Sequence, residues 1–255
     1  MAGYVFDRPP LLRQLARAGD VAAVTAAVVL RPRAFAERYR RAYDRAAGAA
    51  APPADAPAMR PFPYLAVVVV LTSLLVPLAR RVAGLPAAGD GVAAAGRIAG
   101  PEATVVHLHR LTGIETLDTF LAGCALIASY ALLAALFRLV GGRAFDLAWI
   151  AGFFAYVVGA FEAVLLVGLL AAAGASVAEP ALAAPLAAGI GTATLVATLV
   201  YALGGPVVAW PRVLAVPRGR VLRVTLLAFA LWALLHAAVR VLLWSRDILL
   251  LGFGL

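Results

Sequence analysis

Residues 147–173 read LAWIAGFFAYVVGAFEAVLLVGLLAAA, with one charged side chain, Glu162. A helix rising 1.5 Å per residue needs about 20 apolar residues to cross the roughly 30 Å hydrocarbon core of a bilayer, so this stretch is long enough to span it. Ala148, Gly152, Ala155 and Gly159 recur at steps of four, three and four. They lie along one helical face, a small-residue stripe of the kind that lets helices pack closely in lipid. Glu162 continues the stripe two positions past the middle of the stretch. A carboxylate at that depth is costly unless it is protonated, paired or hydrated, so it is expected to point into a bundle.

Working outward, the polar turn Arg138-Leu139-Val140-Gly141-Gly142-Arg143 separates this stretch from residues 117–137, a second apolar window, and permits only an antiparallel hairpin. Residues 63–79, closed by Arg80 and Arg81, form another span. Residues 182–210, expected to break near Gly204-Gly205-Pro206, and residues 221–244 complete a set of five. The expected fold is therefore all-α: a polytopic membrane bundle of five transmembrane helices over residues 63–255, preceded by a basic amphipathic arm and linker over residues 1–62. No repeat of 20–50 residues and no inverted repeat stands out.

The whole chain agrees with that reading. Of 255 residues 64% are hydrophobic and only 14% charged, and the mean hydropathy is +0.95. Soluble domains carry about half apolar and a quarter charged residues, and a disordered chain carries fewer apolar ones still. The net charge of +9 comes from 22 basic residues, all of them Arg. Absence of Lys beside abundant Ala, Gly and Pro matches the coding bias of a GC-rich bacterial genome. Positive charge marks the cytoplasmic side of membrane proteins. With the N-terminus inside, sixteen Arg fall on that side and six on the other, so the expectation is an inner-membrane protein with its N-terminus cytoplasmic and its C-terminus outside. No cleavable signal peptide is visible: residues 21–30 are an apolar run of ten that follows three Arg, but it lacks a small-residue cleavage motif. Cys124 is the sole cysteine and forms no intramolecular disulfide.

In the N-terminal segment Asp20 is expected to cap a helix running to Leu30, and Pro32 to start another reaching about Ala47. On the second helix Phe35, Tyr39 and Ala42 recur at helical spacing with Tyr43 beside them, while Arg38, Arg40, Arg41 and Arg45 cover the rest. Two readings stand for it. It lies on an anionic leaflet with its aromatic side down, or it is a solvated arm that sets topology by charge. Residues 46–57, rich in Ala and Pro, read as a semi-rigid linker.

The phrase Leu30-Arg31-Pro32-Arg33-Ala34-Phe35, the basic helix after it, and Pro61-Phe62-Pro63-Tyr64-Leu65 at the first span resemble the N-terminal entry of bacterial Yip-type membrane proteins. The stretch from Phe137 through Gly141-Gly142 to Phe145 resembles their short hairpin between the second and third spans. The resemblance, spread over roughly residues 28–244, implies five spans, a cytoplasmic N-terminus and a scaffold or adaptor. Eukaryotic members of that family are implicated in Rab GTPase function and vesicle traffic.

Few residues carry chemistry. His236 lies in the fifth span with Arg240 one turn further on the same face, and parallel running of spans three and five puts Glu162 and His236 at similar depth. The trio Glu162, His236 and Arg240 is read as an intramembrane polar pair with a snorkelling Arg, either a clasp that fixes helix register or a proton or cation relay. His107, His109, Glu102 and Glu115 lie in or beside the loop over residues 80–116, where an interfacial segment accounts for them better than a metal site does. Gly189, Gly191, Thr192, Thr194 and Thr198 read as packing contacts. No phosphate loop, nucleophile elbow or zinc-protease motif is present. The expected function is a nonenzymatic scaffold or adaptor with no cofactor and no metal. Its expected partners are the bilayer, anionic lipid headgroups and a protein partner or second copy, not nucleic acid. The alternative is a small ion or solute channel or transporter.

Overall fold

The computed structural model describes residues 10–46, 57–82 and 114–252, which are helical apart from short turns and contain no strand. The helices are α1 (Pro10–Leu30), α2 (Pro32–Ala46), α3 (Pro61–Val82), α4 (Glu115–Gly141), α5 (Leu147–Ala178), α6 (Ala183–Val213) and α7 (Arg218–Gly252). Helices α3 to α7 are each long and apolar enough to cross a membrane. The chain is thus a multi-pass helical membrane protein.

The α4–α5 hairpin closes as its sequence dictates. Gly142 takes φ +73°, in the left-handed region where a side chain is strained. Gly142 opens three residues of 3₁₀ helix, and then Asp146 caps α5 by accepting the Trp149 N–H at 2.9 Å. Two local expectations are corrected. Asp20 sits inside α1, which starts ten residues earlier, so it caps nothing. Residues 204–206 do not break the fourth span, because α6 runs on through both Pro206 and Pro211. A proline removes one backbone bond, and here burial of Ala202, Pro206, Ala209 and Trp210 against the bundle holds the helix together across the gap.

Helix α5 is the axis of the molecule, in contact with α1, α2, α3, α4 and α6. From Gly152 to Phe161 every residue is buried. At 32 residues it is about 48 Å long, well beyond the bilayer core, whereas α3 at 22 residues is about 33 Å and just spans it. The first turn of α3 lies beside the second turn of α5, since a Cβ built on Gly152 would stand 3.1 Å from the Pro61 ring. The beginning of α5 therefore projects past the start of α3. That projecting end also carries Arg138, Arg143, Arg212, Arg218, Arg220 and Arg223 and is called the basic end below.

An aromatic cluster fills the basic end. The Trp210 ring has Phe137, Phe145, Trp149, Phe153 and Phe154 around it at centroid distances of 4.9 to 6.4 Å, in edge-on or tilted arrangements. Pairs of this geometry contribute about 0.5–1.5 kcal/mol each beyond the area they bury. The indole N–H groups of Trp149 and Trp210 are buried with no hydrogen-bond partner among the described residues.

Candidate functional site

The polar residues inside the spans do not form the expected pair. His236 uses both ring nitrogens on other groups: Nδ1 lies 2.8 Å from the Trp232 carbonyl, and Nε2 lies 2.9 Å from Ser129 Oγ on α4. A carbonyl only accepts, so Nδ1 carries the hydrogen. In the neutral ring Nε2 then accepts the Ser129 hydroxyl, whose oxygen accepts the Trp232 indole N–H at 3.1 Å. The three residues close a ring of bonds that ties α4 to α7, and the imidazole lies tilted against the Trp232 ring at a centroid distance of 4.4 Å. Glu162 makes no hydrogen bond or ion pair with His236. The reason is topological: α4 packs against both α5 and α7, while those two make no substantial contact with each other. Similar depth on two parallel helices does not bring side chains together when a third helix stands between them.

Glu162 itself is half-buried, with no hydrogen-bond partner among the described residues, and its titratable neighbour is Tyr130 of α4. Arg240 directly follows Val239, where the fifth candidate span ends. The small-residue stripe is used, but for rings rather than for a helix backbone. Gly152 receives the Tyr39 hydroxyl, and Gly159 receives Tyr64, whose Cε1 would stand 2.6 Å from an added Cβ. On α6 the Thr198 hydroxyl donates to its own helix at Thr194 O, and Ile190 packs on Gly168 of α5. His107, His109 and Glu102 lie outside the described residues. Among the described residues no group of three His, Cys, Asp or Glu could hold a metal.

The second constellation is where α2 meets α5. Phe35, Tyr39 and Ala42 are buried, with Phe35 and Tyr39 only 3% and 6% exposed. Tyr39 stacks on Trp149 at 6.0 Å and meets Tyr156 edge-on at 5.1 Å, and Phe35 meets Tyr156 at 4.9 Å. Of the two readings of this helix, the one that lays its aromatic side on a leaflet is corrected: that face packs on protein. The Arg residues cover the other side, with Arg38, Arg41 and Arg45 exposed and Arg40 half-buried. Arg40 bonds Asp44 at 2.9 Å and lies 5.7 Å from the Trp149 ring.

Asp146 is the hinge pin of this contact, accepting from the Tyr43 hydroxyl at 2.9 Å as well as from the Trp149 N–H. Burial pushes its carboxyl pKa up. The N–H groups of Trp149 and Ala148, the Tyr43 hydroxyl and the Arg40 charge outweigh that and hold it below the usual carboxylate value. Burial, helped by Tyr43 and Asp146, raises the Tyr39 phenol well above its ordinary pKa, so Tyr39 stays neutral.

Comparison with protein-family models, with curated proteins and with solved structures gives no match for this chain. Function has to be argued from its own residues. Tyrosine hydroxyls make three more long-range ties. Tyr64 pairs with Thr25 at 2.8 Å, Tyr156 donates to Met59 O at 2.6 Å, and Tyr201 donates to Val29 O at 2.6 Å. Sequence reasoning did not single out Asp146, Ser129 or Asp118, which is buried in the first turn of α4. Asp146 was detectable as an Asp directly before an apolar run, the usual signature of a helix cap.

Proposed function

We propose that the chain is a nonenzymatic membrane scaffold or adaptor of the Yip type, seated in a bacterial inner membrane with its basic end and N-terminus cytoplasmic. One observation carries this reading: among the described residues the span histidine is spent on holding two helices together, in the closed Ser129–Trp232–His236 ring, rather than standing in a path of titratable groups. Relays and pores need titratable or hydrated groups in succession across the bilayer. The excess of Arg at the basic end supports the orientation. The quoted resemblance of residues 30–35, 61–65 and 137–145 supports the type.

The test is a pair of assays on purified protein. In proteoliposomes proton and alkali-cation flux equals that of empty vesicles, while crosslinking in native membranes captures a discrete complex. Flux above background with no captured complex contradicts the scaffold.

A small channel or transporter is the second reading, favoured by one residue. Glu162 is a mid-span carboxyl, half-buried and without a hydrogen-bond partner among the described residues. On that reading Glu162→Gln abolishes flux while the bundle stays folded.

A further inference from the structure

We infer that the second half of α1 is a membrane-embedded element whose outer face lies among lipid acyl chains, with Arg31 and Arg33 beside it holding the phosphate of an anionic phospholipid. Residues 21–30 contain no charge and are bounded by Asp20 and Arg31. At about 15 Å this stretch is far too short to span a bilayer. Its inner face is clear: Val21, Val24 and Val28, at steps of three and four, are buried.

Two hydrogen bonds fix how it lies. Thr25 bonds the hydroxyl of Tyr64 on α3, and one turn later the Val29 carbonyl accepts from Tyr201 on α6. Helices α3 and α6 each pack on α5, so within a single turn α1 bridges from one neighbour of α5 to the other. This part of α1 therefore seats on α5 between α3 and α6.

The level of this seat identifies its surroundings. Tyr64 is in the first turn of α3, and the Tyr201 ring meets Phe161, fifteen residues into α5, at 4.9 Å. The seat thus lies where the candidate spans already run side by side. The side of α1 turned away from the bundle presents Ala22, Ala26 and Leu30, all exposed, with Leu30 at 75%. An uncharged face at this level matches hydrocarbon.

Immediately after Leu30 the chain turns through Arg31, Pro32, Arg33 and Ala34, all exposed and lining one open depression together with Glu37. Glu37 bonds Arg33 at 3.3 Å, whereas Arg31 has no ion pair among the described residues. A guanidinium beside a bare leucine matches a molecule that carries a phosphate and an acyl chain together, and the planar guanidinium fork fits phosphate oxygens bidentately. That combination favours a phospholipid over free phosphate. The inference stands on the membrane character of the chain and is independent of whether the protein is a scaffold.

The experiment uses the full chain with Cys124→Ala, in nanodiscs of phosphatidylcholine with and without phosphatidylglycerol. Nitroxides placed at Ala26→Cys and Leu30→Cys are expected to collide preferentially with oxygen, and one at Arg41→Cys with a water-soluble nickel chelate. Nickel preference at both α1 positions would overturn the lipid-facing helix. Arg31→Gln with Arg33→Gln is expected to lower co-purified phosphatidylglycerol several-fold while oxygen preference at Ala26 persists. Unchanged lipid retention overturns the headgroup site, and so does displacement of the lipid by millimolar inorganic phosphate.

Discussion

The two halves of α5 are equally apolar and differently used. From Trp149 to Phe161 all residues but Ala151 are buried, under aromatic rings from α2, α3, α4 and α6. Beyond Glu162 only Leu166, Ala172 and Ala173 are buried among the described side chains of the helix, and Val167 is 66% exposed. Hydropathy alone therefore does not tell a packed helix face from one left to lipid. Large rigid rings, and hydroxyls able to reach across to another helix, make the difference. The basic end has both, in Phe137, Phe145, Trp149, Trp210 and the four tyrosines Tyr43, Tyr64, Tyr156 and Tyr201.

Truncation should separate the two halves most sharply. Phe154→Ala at the packed end is expected to cost about 3–5 kcal/mol of unfolding free energy, while Val167→Ala on the open half should stay within about 0.5 kcal/mol. Denaturation in mild detergent measures both, and equal losses would erase the distinction.

Adding atoms sharpens the same contrast. Gly159→Ala drives a methyl into Tyr64 and is expected to cost about 1–3 kcal/mol. Gly174→Ala meets nothing within 4 Å and should gain up to about 1 kcal/mol from helix propensity.

At the junction of α2 and α5, Asp146→Ala removes a helix cap together with the Tyr43 bond, for an expected loss of about 1–2 kcal/mol. Because Asp146 holds its proton less tightly in the folded chain than in the unfolded one, its contribution is complete above the ordinary carboxylate pKa. It disappears as pH falls through the lower folded value. Thermal unfolding of wild type and Asp146→Ala should accordingly converge in strong acid and diverge above about pH 4. A gap that widens on acidification would contradict the assignment.

The smallest expected effect tests the open half's neighbour. Ser129→Ala and His236→Leu are expected to be nonadditive by about 0.6 kcal/mol, the average for hydrogen bonds within membranes. Glu162→Leu and His236→Leu should be additive, since no bond joins them. Coupling between Glu162 and His236 would reverse the α4-between-helices arrangement.

Much of this was legible in the residues, and the failures share a cause. Length and hydropathy located all five candidate spans, and Gly141-Gly142 located the hairpin, because both are local properties. The destination of a face is not local. Phe35 and Tyr39 at helical spacing read the same whether they meet a leaflet or Trp149 and Tyr156. Similar depth put Glu162 and His236 on one level, but no pattern in either span announced that α4 stands between them. The helical continuity of α6 through Pro206 was likewise decided by what Ala209 and Trp210 pack against.

Hydrogen exchange in nanodiscs tests most directly the claim that the N-terminal helices belong to the packed end rather than forming a free arm. Amides of residues 35–43 in α2 are expected to exchange as slowly as those of residues 149–161 in α5, and Asp146→Ala should accelerate the first group selectively. Exchange of residues 35–43 at the rate of an unstructured chain, in the intact protein, would contradict the account.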